Sequence, residues 1–238
     1  MERFDMRSPS AFRMTAEASA ERVTAFLQKV YGWMFIGLAV TAVVAFMVAG
    51  SPTLLRHIFS NQFLYIGLIM AELGLVFYLS ARVETLAPTM AMTLFIVYSA
   101  LNGVTLSFIL LVYTGESIAS TFLVTSGMFG ALALYGSTTK RSLAGVGQFL
   151  FMGLIGLVLA SIVGMFWHND TLQFLISTIG VIVFTGLTAW DAQRLKQMAA
   201  TVPEERMGSY AVVGALALYL NFINLFLMLL RLLGGRRD

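Results

Sequence analysis

Hydrophobic residues along this chain gather into seven long runs separated by short polar connections. No charged residue occurs over 30–55, and the apolar core of that stretch, about 30–49, ends at Gly50, Ser51 and Pro52. Comparable runs cover 62–81, 85–115, 117–139, 142–167, 171–190 and 207–230. Each can supply the roughly 20 residues that a helix needs to cross a bilayer. The pattern therefore predicts an all-α, polytopic membrane protein with a seven-transmembrane-helix bundle. Pro88 opens span three, where proline suits a first helical turn. Pro9, Pro52 and Pro203 also lie outside span interiors, so no span needs a proline kink.

Ahead of span one, Val23, Phe26, Leu27, Val30 and Tyr31 follow helical spacing, with Glu21, Arg22, Gln28 and Lys29 among them. This stretch reads either as an interfacial helix or as a helical extension of span one. The chain thus divides into an N-terminal arm over 1–29, a seven-span membrane domain over 30–233 and a short basic tail over 234–238. No second domain fits. Gly156, Ala160 and Gly164 recur at every fourth position, a small-residue stripe of the kind that lets membrane helices approach closely, read here as ordinary packing.

Composition agrees. Of 238 residues, 58% are hydrophobic and 11% charged, with a mean hydropathy of +0.84, whereas a soluble domain carries about 25% charged residues. A water-soluble globule is excluded. The net charge of +3 is too small and too scattered to make a nucleic-acid surface. With no cysteine, disulfides, thiol catalysis and cysteine metal sites are excluded. No apolar segment precedes Val30, so no cleavable signal peptide is expected.

Basic residues in short flanks set orientation. With the N-terminus cytoplasmic, that side holds Arg3, Arg7, Arg13, Arg22, Lys29, Arg82, Lys140, Arg141, Arg194, Lys196 and Arg206. The other side holds Arg56, joined by Arg231, Arg236 and Arg237 if span seven crosses fully. That basic tail conflicts with the rule. A re-entrant span seven would remove the conflict, but the length of the run favours crossing.

Several chemistries lack their residues. His57 and His168 both fall in expected external connections, so neither a serine–histidine intramembrane protease nor a histidine-ligated zinc protease can be assembled. An aspartyl intramembrane protease needs two aspartates at membrane depth, and only Asp191 is near one. Lys29, Lys140 and Lys196 flank spans, which leaves no Schiff-base lysine. A phosphate-binding GxxxxGK[ST] loop is absent. The expectation is a non-enzyme that moves ions passively, signals or regulates.

Two carboxylates stand out. Glu72 lies near the centre of span two, and Asp191 closes span six directly after VIVFTGLTAW. A charged group inside a span is costly and functional by default, although Asp191 also reads as a solvated helix end. Burial favours the protonated form of a carboxylate and a nearby cation the ionised form, so such acids can sense protons. Arg82 ends span two on the same expected side as Asp191, which allows an ion-pair latch between them. Asn221 and Asn224 share a face of span seven, and Asn102 adds an amide in span three. Calcium takes oxygen from carboxylates, carbonyls and water, so Glu72, Asp191, Asn221 and Asn224 could line a transient cation path, with Asp191 the metal-contacting acid. For the asparagines, interhelical hydrogen bonding is the competing reading.

The stretches YGSTTKR, TAWDAQRLK and LYLNFINLF, set in an otherwise apolar seven-span chain, identify it as similar to the Bax inhibitor-1 family, also called the transmembrane Bax inhibitor motif family, and to its bacterial branch. The resemblance runs from span one to the tail. It implies a bundle with the last helix central and surrounded by the other six, in a bacterial inner (plasma) membrane. It also implies a pH-sensitive calcium leak governed by a pair of carboxylates, with no tightly bound cofactor. One acid of that pair corresponds to Asp191. Its partner falls at Asn221, where the family pattern reads LYLDFINLF. The arginine that pairs with the span-six acid corresponds to Arg82, and the pore-lining acid of span two to Glu72.

The amide at Asn221 matters physically. Two neighbouring carboxylates share a proton, whereas an Asp–Asn pair has no second titrating group. The proton switch is expected to weaken, with opening displaced to lower pH or largely freed from it. One fewer negative ligand should also weaken calcium binding. The alternative function is a non-transporting membrane regulator that binds a membrane protease or stress-response protein through the arm and tail. A proton-coupled transporter would use Glu72 but lacks any substrate clue.

Overall fold

The computed structural model describes residues 9–167 and 169–237, with side chains from residue 19 onward apart from Met165. His168 and residues 1–8 of the arm lie outside this description. Helices follow in the order α1 (Pro9–Ala49), α2 (Pro52–Ser60), α3 (Gln62–Ala81), α4 (Pro88–Leu106), α5 (Ile109–Val112), α6 (Gly115–Thr138), α7 (Ala144–Phe166), α8 (Asp170–Thr201) and α9 (Met207–Leu233), with a 3-10 turn at Glu204–Arg206 before the last. Seven stretches are long and apolar enough to cross a membrane, α4 and α5 together making one of them.

Local chemistry explains the boundaries. Pro52 and Pro88 occupy first turns, where their missing N–H has no partner to lose. Asn61 caps α3 by accepting from Phe63 and Leu64 N–H at 3.1 and 3.2 Å. Asn169 caps α8 in the same way through Thr171 and Leu172, at 2.9 and 3.3 Å. The α4–α5 break falls at Ser107, whose hydroxyl donates to the Val104 carbonyl at 2.6 Å.

The last helix is central. It packs against α1, α4, α6 and α8 and more lightly against α3. The expected ring of six is imperfect, because α7 lies outside and rests chiefly on α8. Burial shows the same order: Tyr219 of α9 is 0% exposed, whereas Phe149 on α7 is 73% exposed, on the face left for lipid.

Of the two readings of residues 23–31, the structure takes the continuous helix. At 1.5 Å per residue, α1 is roughly 60 Å long, well beyond one bilayer crossing. Its extension lies on the bundle rather than apart from it, because Phe26 and Val30 are buried with Leu195, Ala199 and Ala211 of α8 and α9. Arg22 donates a guanidinium N–H to the carbonyl of Val202, the residue capping α8, where a cation complements the negative end of the helix dipole.

The sequence stripe packs only in part: Ala160 lies against the α8–α9 core and Gly164 faces Gln173 and Ile176 of α8. A side chain at Gly156 would meet nothing, whereas one at Gly136 of α6 would collide with the Ala189 backbone of α8. Gly103 of α4 meets the backbone of Thr41 on α1 in the same manner. These are the positions where bare backbone lets helices touch.

Span seven runs the full length of the bundle as one unbroken helix. The chain after it pairs with the α5–α6 connection: Thr114 N–H donates to Gly235 at 3.2 Å, Arg237 N–H to Val112 at 2.9 Å, and Gly235 N–H to the Ser117 hydroxyl at 2.9 Å. Arg236 and Arg237 thus sit at the end of the bundle opposite the α1 extension.

Candidate functional site

The site forms where α8 meets the middle of α9. Gly136 lets α6 press against α8 at Ala189, two residues before Asp191. Asn221 of α9, 6% exposed, donates its side-chain amide to Asp191 Oδ2 at 2.7 Å. Among the described residues no hydrogen bond reaches Asp191 Oδ1. Asp191 is half-buried, and α8 continues ten residues beyond it to Thr201. The solvated-helix-end reading is therefore corrected: this carboxylate is well inside a long helix, because residues 192–199 keep an apolar face that the α1 extension covers.

A cavity of about 390 Å³ leads to Asp191 from the end of the bundle holding the α3–α4 connection, and its wall includes Ser80, Glu84, Arg194, Tyr210 and Gly214. Leu216 and Leu220 of α9 bound it at its inner end. Arg194 is the cation nearest the acid that the sequence reading passed over. It follows Asp191 by three positions on α8, and i, i+3 residues share a helix face. Its guanidinium lies 5.7 Å from the centre of the Trp190 ring, a distance suited to a cation–π contact.

Glu72 belongs to a different cluster. Thr105 of α4 donates its hydroxyl to Glu72 Oε1 at 2.5 Å, and Asn102 lies beside the same carboxylate. Tyr219 of α9 donates to Asn102 Oδ1 at 3.2 Å, and Asn102 donates to the Tyr98 hydroxyl at 3.4 Å. Thr41 of α1 lies 2.6 Å from the Tyr219 hydroxyl and 2.9 Å from the Ser99 carbonyl; with one proton on each hydroxyl, Thr41 and Tyr219 fill two of these three contacts at a time. This chain of side chains ties α1, α3, α4 and α9 together in the bundle interior. Tyr98 and Tyr219 are the members that the hydropathy pattern concealed, since a tyrosine in an apolar run reads as packing until its hydroxyl finds a partner.

The other sequence candidates separate. Asn224 turns its amide back to the Leu220 carbonyl of its own helix at 2.8 Å, so the two asparagines of span seven do not face one site. Arg82 caps the C-terminus of α3, is exposed, and makes no ion pair with Asp191 in this conformation. No group of three or more His, Cys, Asp or Glu side chains arranged to hold a metal occurs among the described residues.

The motif after Asp191 also fixes the α6–α7 connection. Gln193 accepts from Leu143 N–H at 2.8 Å and donates to the Arg141 carbonyl at 2.9 Å. Lys196 donates to the Ser137 carbonyl at 2.7 Å. The sequence signal was present in TAWDAQRLK, but a lone amide and a flanking lysine do not announce a partner about fifty residues away.

A family model described as inhibitor of apoptosis-promoting Bax1 matches residues 23–238. Among curated proteins, the chain is similar to the inner membrane protein YbhL of Escherichia coli strain K12, with 52% identity over 215 residues, 89% of this chain and 92% of that one. An uncharacterized protein of Borreliella burgdorferi is 45% identical, over 90% of this chain and 93% of its own. Another, from Deinococcus radiodurans, is 38% identical over 98% and 100%.

Proposed function

The chain belongs to the Bax inhibitor-1 family as a multi-pass protein of the bacterial inner membrane, and from that premise we propose that it forms a pH-sensitive calcium leak rather than an enzyme. Its N-terminus faces the cytoplasm in this reading. The observation that carries it is the half-buried Asp191 carboxylate at the end of a cavity, with Oδ2 held by Asn221 and Oδ1 without a hydrogen-bond partner among the described residues. A carboxylate so placed can contact a passing cation and exchange protons with water in the cavity. Calcium is the transported ion and no cofactor is needed.

Glu72 is the second acid on the path, and Leu216 and Leu220 form an apolar barrier at the cavity's inner end. Passage requires a rearrangement of α9 against α3 and α8 that joins the cavity to the Glu72 cluster. Arg82 acts as a latch in a state other than this one, by moving from the end of α3 onto Asp191.

The test is calcium flux into liposomes carrying the purified protein over pH 5 to 8, for wild type, Asp191→Asn and Glu72→Gln. Flux that both substitutions reduce at least tenfold supports the leak. Flux no greater than in protein-free liposomes for every variant overturns it.

A further inference from the structure

The arginines of the tail stand, exposed, at the end of the bundle that is otherwise poor in basic residues. Basic residues concentrate at the opposite end of the bundle, yet the tail is pinned by backbone hydrogen bonds to the α5–α6 connection. That pinning fixes Arg237 at the mouth of a crevice. Its volume is about 770 Å³, and its walls are Ala42, Phe46, Leu110, Leu111, Ala119 and Phe122 together with Arg237. Deeper, the same cleft narrows to a space of about 130 Å³ that reaches Leu38, Phe222 and Phe226. The cleft exists because α1 and α6 do not pack closely on one another at this end, where the short α5 touches α1 instead.

From this geometry we propose that the crevice is a binding site for one glycerophospholipid of the surrounding leaflet, with an acyl chain between α1 and α6 and the phosphate on Arg237. Three observations agree. The crevice extends from Gly50 to Leu38 along α1, about 18 Å at 1.5 Å per residue, close to half of the roughly 30 Å hydrocarbon core. Its walls are apolar, while its single cation stands at the level where span one ends and headgroups begin. Among the described residues Arg237 makes no side-chain ion pair, Glu116 nearby included, so its guanidinium is free for a phosphate, which it can engage through two N–H groups. Lipid covers every outward face of a membrane protein, and here an apolar slot penetrates to the central helix beneath an arginine whose backbone is pinned. A lipid there would touch Phe222 and Phe226 on α9, the helix that carries Asn221.

Native mass spectrometry of the full-length, delipidated protein tests the site, with dioleoylphosphatidylglycerol as probe and dioleoylglycerol as the same chains without phosphate. The expected result is one tightly held phosphatidylglycerol, with binding weakened roughly tenfold by Arg237→Ala and unaffected by Arg56→Ala, an arginine at the same end but away from the crevice. Ala119→Trp, at an exposed wall position that tolerates a larger side chain, should remove the tight site by filling it. Dioleoylglycerol should bind at least tenfold more weakly. Equal affinity for the two lipids, or wild-type affinity in either Arg237→Ala or Ala119→Trp, overturns the proposal.

Discussion

Asn221 donates its side-chain amide to Asp191 across the α8–α9 contact at 2.7 Å, which makes this pair a neutral donor and an acid rather than two acids. A carboxylate at Asn221 would face Asp191 at the same separation, and two carboxylates so close titrate as a coupled pair. Asn221→Asp is accordingly expected to make calcium flux depend more steeply on pH between 5 and 8. The check is the flux profile of that variant beside wild type, and unchanged flux with an unchanged profile would refute the account of the substitution.

Gly136 and Gly156 predict opposite responses to one methyl group. Gly136→Ala drives a Cβ into the Ala189 backbone, where neither helix can yield locally, and should lower stability by about 1–3 kcal/mol. Gly156→Ala meets open space and should leave stability within about 0.5 kcal/mol. Unfolding in detergent, followed by circular dichroism, distinguishes them.

Tyr219 is fully buried and its hydroxyl joins Thr41 to Asn102. Tyr219→Phe removes that junction but keeps the ring contacts with Phe95 and Tyr98, at 5.8 and 5.7 Å between centroids. The expected loss is about 1 kcal/mol, and a denaturation midpoint equal to wild type would show that the network adds nothing to stability.

Gln193 satisfies two backbone groups of the α6–α7 connection, whose Lys140 and Arg141 are trypsin sites. Gln193→Ala should speed cleavage there several-fold by releasing the connection, as the rate of fragment appearance on gels will report. The same cleavage, compared between right-side-out and inverted vesicles, also reads orientation: with a cytoplasmic N-terminus it should occur only in inverted vesicles.

An Arg82 latch predicts coupling that is not visible in this conformation. If Arg82 engages Asp191 in another state, the effects of Arg82→Ala and Asp191→Asn on flux should be non-additive in a double-mutant cycle. Additive effects would remove the latch from the mechanism.

Seven spans, the two acids that fall within them and the family signature at TAWDAQRLK and LYLNFINLF were legible from the sequence alone, because transfer of a residue between water and hydrocarbon depends chiefly on that residue and its near neighbours along the chain, whereas the extensions of α1 before residue 30 and of α8 beyond residue 190 were not. Tertiary structure alone decided that Asp191 meets Asn221, that Glu72 joins Thr105 and the tyrosines, that Asn224 bonds to its own helix, and that the tail pairs with the α5–α6 connection. Lipid tails are as apolar as leucine, so hydrophobicity does not tell a buried helix face from a lipid-facing one. The choice falls instead to close approach at residues such as Gly136 and Gly103 and to hydrogen bonds between distant helices, and those are properties of pairs that no single stretch of sequence contains.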